Sequence, residues 1–368
     1  MKRNIDTNNI KTGLTGPIKK PIRESGIELL RILAACAVVI LHYNAGRAFD
    51  LVNPGSINQS LLDFLESISI CAVDVFLLIS GYFLCTNNKR SLGKPLTLFV
   101  QVVIIRVLMY LINSWTGSGL ISIPALIEVL IPANYFVILY TVVYFVSPYL
   151  NKLLNNLSVK QFTQLFILLV IVFSLYATLT DVVNEFRGSV LFGLSPVTAW
   201  GNQQGFTIVN FMLLYVVGAY LRLVGFPSVI NKYSVLICVL TIVLIFIWAV
   251  VGDYLPKIGL RSAWVYCNPL VILLSVSVFR LFSKIHFRSL FVNTLAKSSF
   301  TCFLVHQYII DYFKIEEYAN APIYILLVHI IITIVSIYLI CWVLWKVYDQ
   351  SIQPFVSKMD KYVVVNVE

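Results

Sequence analysis

Arg31 and His42 stand on one apolar stretch, GIELLRILAACAVVILHYNAG, and Glu28 precedes the arginine by three residues. On a helix, residues three apart are surface neighbours, so Glu28 and Arg31 can pair. Eleven residues separate Arg31 from His42, which at about 100° per residue falls about 20° from three full turns. The two therefore share a face, about 16 Å apart along the axis. A neutral imidazole can take a proton from a weak nucleophile, and a guanidinium suits a phosphate or carboxylate. Asp74, in CAVDVFLLISGYFL, and His306 with Gln307, in SSFTCFLVHQYIIDYF, are further polar groups inside apolar stretches. Ionisable groups in such places are expensive and mark functional sites by default. Asp74 is a candidate to orient His42, as a carboxylate does in a triad. Simpler readings stand beside these. Arg31 can snorkel to headgroups, His42 can be interfacial, and His306, Arg106 and His329 can be packed, hydrogen-bonded groups. Arg106 is also a candidate to neutralise Asp74, and Gly81 reads first as a small residue for helix packing.

The elements that must position these groups are membrane helices. Of the 368 residues, 59% are hydrophobic and only 12% charged, too few for a surface facing water. The apolar residues fall in blocks of about twenty, the length that crosses a hydrocarbon core. Ten spans are predicted: 27–46, 61–85, 95–115, 131–150, 162–180, 206–224, 234–252, 264–282, 298–314 and 322–348. Pro132 and Pro148 bracket the fourth. With the N-terminus inside, and counting residues at the helix ends, the inner segments hold 20 of the 27 Lys and Arg. The outer ones hold five: Arg47, Arg187, Lys257, Arg261 and Lys314. That bias predicts an all-α, polytopic helical bundle with both termini cytoplasmic. The chain divides into a basic N-terminal segment (1–26), a membrane domain (27–348) and a cytoplasmic tail (349–368). Residues 1–26 lack the pattern of a cleavable signal, so the first helix is expected to persist.

The net charge of +10 does not read as nucleic-acid binding, because the cations sit in short clusters between spans and follow the topology. Seven cysteines fall singly, without metal or redox spacing, and read as small buried hydrophobes; no metal is expected. Arg31, Lys89, Arg90 and Lys94 are expected to converge at the inner ends of the first three helices. Such a cluster suits a phosphate-bearing ligand or anionic lipid headgroups. No inverted repeat is evident, which weighs against a transporter or polysaccharide flippase, the alternative to an enzyme.

The R-x10-H spacing of Arg31 and His42, with Glu28 before it, resembles the integral-membrane acyltransferase family 3. So do VDVFLLISGYFL and SSFTCFLVH. NYFVILYTVVYFVSPYLNKLLNNLSVKQF, FMLLYVVGAYLRL and YCNPLVILLSVSVFRLF resemble the branch found with surface-polysaccharide genes. The likeness runs in order over most of residues 23–345. It implies an O-acyltransferase of the plasma membrane that moves an acyl group, usually acetyl, from cytoplasmic acetyl-CoA to a sugar hydroxyl. The acceptor is then a cell-surface or exopolysaccharide glycan, or a lipid-linked oligosaccharide. His42 takes the family's catalytic place and Arg31, with Glu28, that of acyl-CoA positioning. Members often carry Asp where this chain has Glu28, and an RxxR pair where it reads KRSLGK, so Lys89, Arg90 and Lys94 stand in for the phosphate contacts. Tyr140 and Asn268, within two of the similar segments, are expected to contact substrate together with His306.

Overall fold

In a computed structural model, residues 24–115, 122–255 and 261–367 are described, so most of the N-terminal segment lies outside the described residues. The chain is a bundle of helices: α1 Ser25–Tyr43, α2 Ile57–Ser69, α3 Ala72–Leu84, α4 Gly93–Trp115, α5 Ile123–Leu130, α6 Tyr135–Asn155, α7 Val159–Val170, α8 Ala177–Arg187, α9 Ile208–Leu223, α10 Ser228–Tyr254, α11 Pro269–Ser283, α12 Ser299–Ile309 and α13 Ile323–Ser351. Among the described residues, eight helical segments are long and apolar enough to cross a membrane. The other two expected spans are shorter helices. One is α9, and the other is α12, flanked by 3-10 turns at Ala296–Ser298 and Ile310–Phe313. Breaks follow the chemistry of the chain. The fourth apolar segment runs from Ile123 to Asn155, longer than the expected 131–150, and breaks around Pro132 into α5 and α6, because proline cannot donate into a helix and restricts the residue before it. Pro148 stays inside α6, as membrane helices tolerate when neighbours satisfy the freed carbonyl.

Helices α3 and α9 meet at glycines. A Cβ on Gly81 would clash with the Tyr215 carbonyl, and one on Gly218 with the Leu78 carbonyl. Such small-residue contacts let backbones approach where hydrophobic burial supplies no force between helices. The core around them holds Leu77, Leu78, Tyr215 and Val217, all nearly inaccessible.

Contacts between distant segments sort into two faces. On one, Ser25 N donates to Phe287 O at 2.9 Å, and β1 (Lys89–Ser91) pairs antiparallel with β2 (Val363–Asn366). That short ribbon is the described exception to the all-α architecture, and it draws the tail against the 86–94 loop. On the other, Asn53 N donates to Asn320 Oδ1 (2.8 Å) and Gln59 Nε2 to Asp253 Oδ2 (2.6 Å). The charge bias assigns the first face to the cytoplasm.

Candidate active site

Helix α1 is pinned at its inner end. Gly26 lies against the carbonyls of Phe282 and Ile285, and Ser25 Oγ donates to Asn293 Oδ1 (2.8 Å) while accepting from Ser289 N (2.9 Å). One turn on, Arg31 Nη1 lies 2.9 and 3.0 Å from the two Glu28 oxygens, the pair that the i,i+3 spacing predicts. Arg31 lines a cavity of about 650 Å³ with Glu28, Lys94, Tyr140, Asn293 and Lys297. Its deeper wall is aromatic: Phe76, Phe136 and Phe300. Lys94 Nζ sits 5.7 Å from the centre of the Tyr140 ring and 5.6 Å from that of Tyr144, and Lys297 Nζ 5.8 Å from the Trp345 ring. Three cations against one carboxylate leave a net positive mouth on the inner face.

Two members of the expected cation cluster are elsewhere. Lys89 is exposed on the ribbon. Arg90 is 1% exposed and fully committed: Nε to Tyr144 O and Ser147 Oγ, Nη1 to Asn87 O and Lys89 O, and Nη2 to Leu84 O and Ser147 Oγ. A guanidinium has five N–H donors, so Arg90 keeps none for a ligand. It is a strut that caps the end of α3. Lys297, unremarked in the sequence, takes the vacated place in the cluster.

At its outer end α1 stops one residue after His42. The π-helical turn Asn44–Ala48 follows, with Ala45 extended and Gly46 left-handed (φ 73°), a conformation glycine adopts without steric penalty. This reversal brings Arg47 back, so that Nη1 donates to His42 O (2.8 Å) and Nε to Asp311 Oδ1 (2.6 Å). The His42 ring meets α12. Gln307 Nε2 is 3.0 Å from His42 Nε2 and 3.3 Å from Nδ1, and the His306 ring centre is 4.8 Å away. An amide N–H can only donate, so Gln307 engages an imidazole lone pair and favours the neutral ring. His306 Nδ1 donates to Cys302 O at 2.9 Å, which makes its Nε2 the acceptor nitrogen. That nitrogen is buried and has no hydrogen-bond partner among the described residues.

A run of rings joins the two ends. Phe136 and Phe76 in the cavity wall lie 4.5 and 6.3 Å from Phe303, Phe303 lies 6.3 Å from His306, and His306 faces His42.

The remaining expectations resolve individually. Asp74 is fully buried on α3, and neither of its oxygens has a hydrogen-bond partner among the described residues. The amide that meets the His42 ring is that of Gln307. Arg106 does not neutralise Asp74. It donates to Glu128 O (3.0 Å) and Val129 O (3.3 Å), capping α5. His306 is beside His42, whereas Tyr140 lines the inner cavity. Asn268 is not placed to touch a substrate. It is 0% exposed, caps α11 by accepting from Leu270 N (2.9 Å), and donates to Ser262 O (2.9 Å). His329 is the packed histidine of the simpler reading, bonded to Tyr43 Oη (2.8 Å) and Phe313 O (2.9 Å). Arg47, Asp311 and Lys297 are not marked in the sequence as site residues, and Gln307 only as the polar neighbour of His306.

Residues 24–346 match the acyltransferase-3 family model, described as an acyltransferase domain. The chain belongs to that family. It is a multi-pass membrane acyltransferase, which sets aside the transporter reading. No curated protein and no solved structure matches it significantly. The matched span takes in both ends of the site, from Glu28 through Lys297 and Gln307.

Proposed function

We propose that this acyltransferase moves an acetyl group from cytoplasmic acetyl-CoA to a hydroxyl of a cell-surface or exopolysaccharide glycan, free or lipid-linked, at the plasma membrane. The observation that carries the reading is the polarity of α1: a cationic cavity at one end and a paired imidazole at the other, joined by aromatic rings. The CoA phosphates lie against Arg31, Lys94 and Lys297, where charge-assisted contacts hold them. The slender pantetheine arm runs past Phe136 and Phe303 and carries the thioester to His42.

There His42 acts as general base. The acceptor hydroxyl displaces the Gln307 N–H from the ring's lone pair, and that nitrogen takes the hydroxyl proton while the hydroxyl oxygen attacks the thioester carbonyl carbon. The C–S bond then breaks, and the leaving CoA sulfur takes the proton back from the imidazolium. Gln307 and Arg47 hold the ring and the backbone of His42 in place. A sugar hydroxyl is too weak an acid to attack unaided at neutral pH, so proton removal during attack is where His42 contributes most.

The test is His42→Ala, assayed by transfer of radiolabelled acetyl groups to cell glycans in membranes holding equal amounts of protein. The expected loss is about 10²–10⁴-fold. Transfer at the wild-type rate would overturn the assignment of His42.

A further inference from the structure

A second cleft, of about 740 Å³, opens at the outer end of α8, between that helix, the loop 188–206 and the turn at 262–265. The described residues that line it include two carboxylates (Asp181, Glu185), four side-chain amides (Asn184, Asn202, Gln203, Gln204) and the rings of Trp200 and Phe206. None of them is Lys or Arg. This composition is the inverse of the inner cavity. It repels a phosphate, and it offers planar acceptors and donors beside an aromatic platform. From this cleft we infer a saccharide-binding subsite that holds the glycan acceptor, an inference that rests on the glycan reading above.

Three observations support it. Trp200 is 67% exposed, held edge-on against Phe192 (5.0 Å between ring centres), so a large ring stands in water without burying itself. The C–H face of a pyranose is the complement of such a ring, while its hydroxyl edge needs polar groups of the kind beside it. Second, Asp181 Oδ2 is buried at the cleft wall with no hydrogen-bond partner among the described residues. An orphaned acceptor of this kind loses free energy that a ligand hydroxyl would restore. Third, the loop is fixed in advance. Asn202 accepts from Ser195 Oγ (2.5 Å) and donates to Thr180 Oγ1 (3.2 Å), and Glu185 Oε2 accepts from Ser262 N (3.0 Å) and Oγ (2.7 Å). Gln203 and Gln204 are left-handed (φ 50° and 54°), a conformation that costs a non-glycine residue about 1–2 kcal/mol and persists only when its surroundings impose it.

The turn at the cleft wall packs against the segment that follows α1. The turn that supplies Ser262 carries Trp264, whose ring stacks on Phe49 (5.4 Å) two residues beyond Arg47. Asn268, which holds this turn by donating to Ser262 O, is a positioning residue for it.

The full chain in lipid nanodiscs, applied to an array of neutral, basic and acidic oligosaccharides, tests the subsite. Wild-type protein is expected to bind neutral oligosaccharides. Trp200→Ala should weaken binding about tenfold, whereas Trp200→Phe, which keeps a ring, should restore most of it. Size-exclusion profiles establish that each variant is folded. Binding confined to acidic glycans, binding to none, or equal binding by Trp200→Ala would overturn the inference. The array contains no acyl donor, so its outcome is independent of whether His42→Ala abolishes transfer.

Discussion

The two ends of α1 use polar groups in opposite ways. At the inner end, Arg31, Lys94 and Lys297 surround an open volume, and their contacts include the Glu28 ion pair, aromatic faces and a Lys94–Tyr140 hydrogen bond. At the outer end the polar groups are spent on one another: Arg47 on the His42 carbonyl and on Asp311, Gln307 on the His42 ring, and His306 on Cys302. A site that must attract a polyanion keeps charge available. One that must move a proton fixes a single ring and holds its lone pair with a neutral N–H that a substrate hydroxyl can replace. Arg90 shows that arginine by itself does not mark the first kind, since it is as close in sequence to Lys94 as any cation and yet every N–H is taken.

The sharpest way to break this contrast is at the two arginines. Arg90→Ala removes the hydrogen bonds of a buried guanidinium, although Leu84 O and Asn87 O keep Asn151 Nδ2 and Tyr144 O keeps Ser147 Oγ. Hydrogen bonds from a charged group contribute about 1.5–3 kcal/mol each, so losing this set should destabilise the protein by several kcal/mol. Thermal unfolding in detergent, read by size-exclusion fluorescence, is expected to show a large fall in midpoint. Normal stability with a raised KM for acetyl-CoA would instead place Arg90 in the donor site. Arg31→Ala should do the reverse. The loss of stability should be smaller than in Arg90→Ala, because only one i,i+3 helix pair, with Glu28, is removed. The KM for acetyl-CoA should rise about tenfold, the loss of one strong charge-assisted contact. Salt should raise the wild-type KM more than the variant's; an Arg31→Ala enzyme with wild-type KM would leave the inner cavity without its assigned ligand.

Much of this architecture is legible in the sequence, and what is not has a physical reason. Spans are legible because the bilayer fixes their length, whereas α5, ahead of Pro132, is not, because at eight residues it is too short to read as a span. The Glu28–Arg31 pair and the shared face of Arg31 and His42 follow from helical period alone. Gln307 beside His42 does not, since 265 residues separate them and only the packing of α12 against α1 brings them together. Lys89 and Arg90 fail for a subtler reason. Read as a cluster they look equivalent to Lys94, but they lie on a strand, where successive side chains point to opposite sides. One therefore faces solvent and the other the protein. Asn268 in YCNPL has the appearance of a ligand-binding amide, and is a helix cap preceding Pro269, the role that asparagine before a helix-starting proline commonly takes.

The smallest expected effect separates two lysines. Lys89 stands in KRSLGK, where the resemblance to acyltransferase family 3 points for phosphate contacts. Lys297 stands on the 3-10 turn before α12, and nothing in its neighbours marks it. The cavity selects the second: Lys297 lines it and Lys89 does not. Lys297→Ala should raise the KM for acetyl-CoA about three- to fivefold with kcat little changed, as expected of one partly solvated lysine–phosphate contact of about 0.5–1 kcal/mol. Lys89→Ala should leave it within the error of the assay. Steady-state kinetics of both variants in the same membranes decide the matter. If Lys89→Ala raised KM and Lys297→Ala did not, the donor would enter over the ribbon formed by β1 and β2. The cation cluster would then be organised by sequence proximity rather than by the packing of α12 on α1.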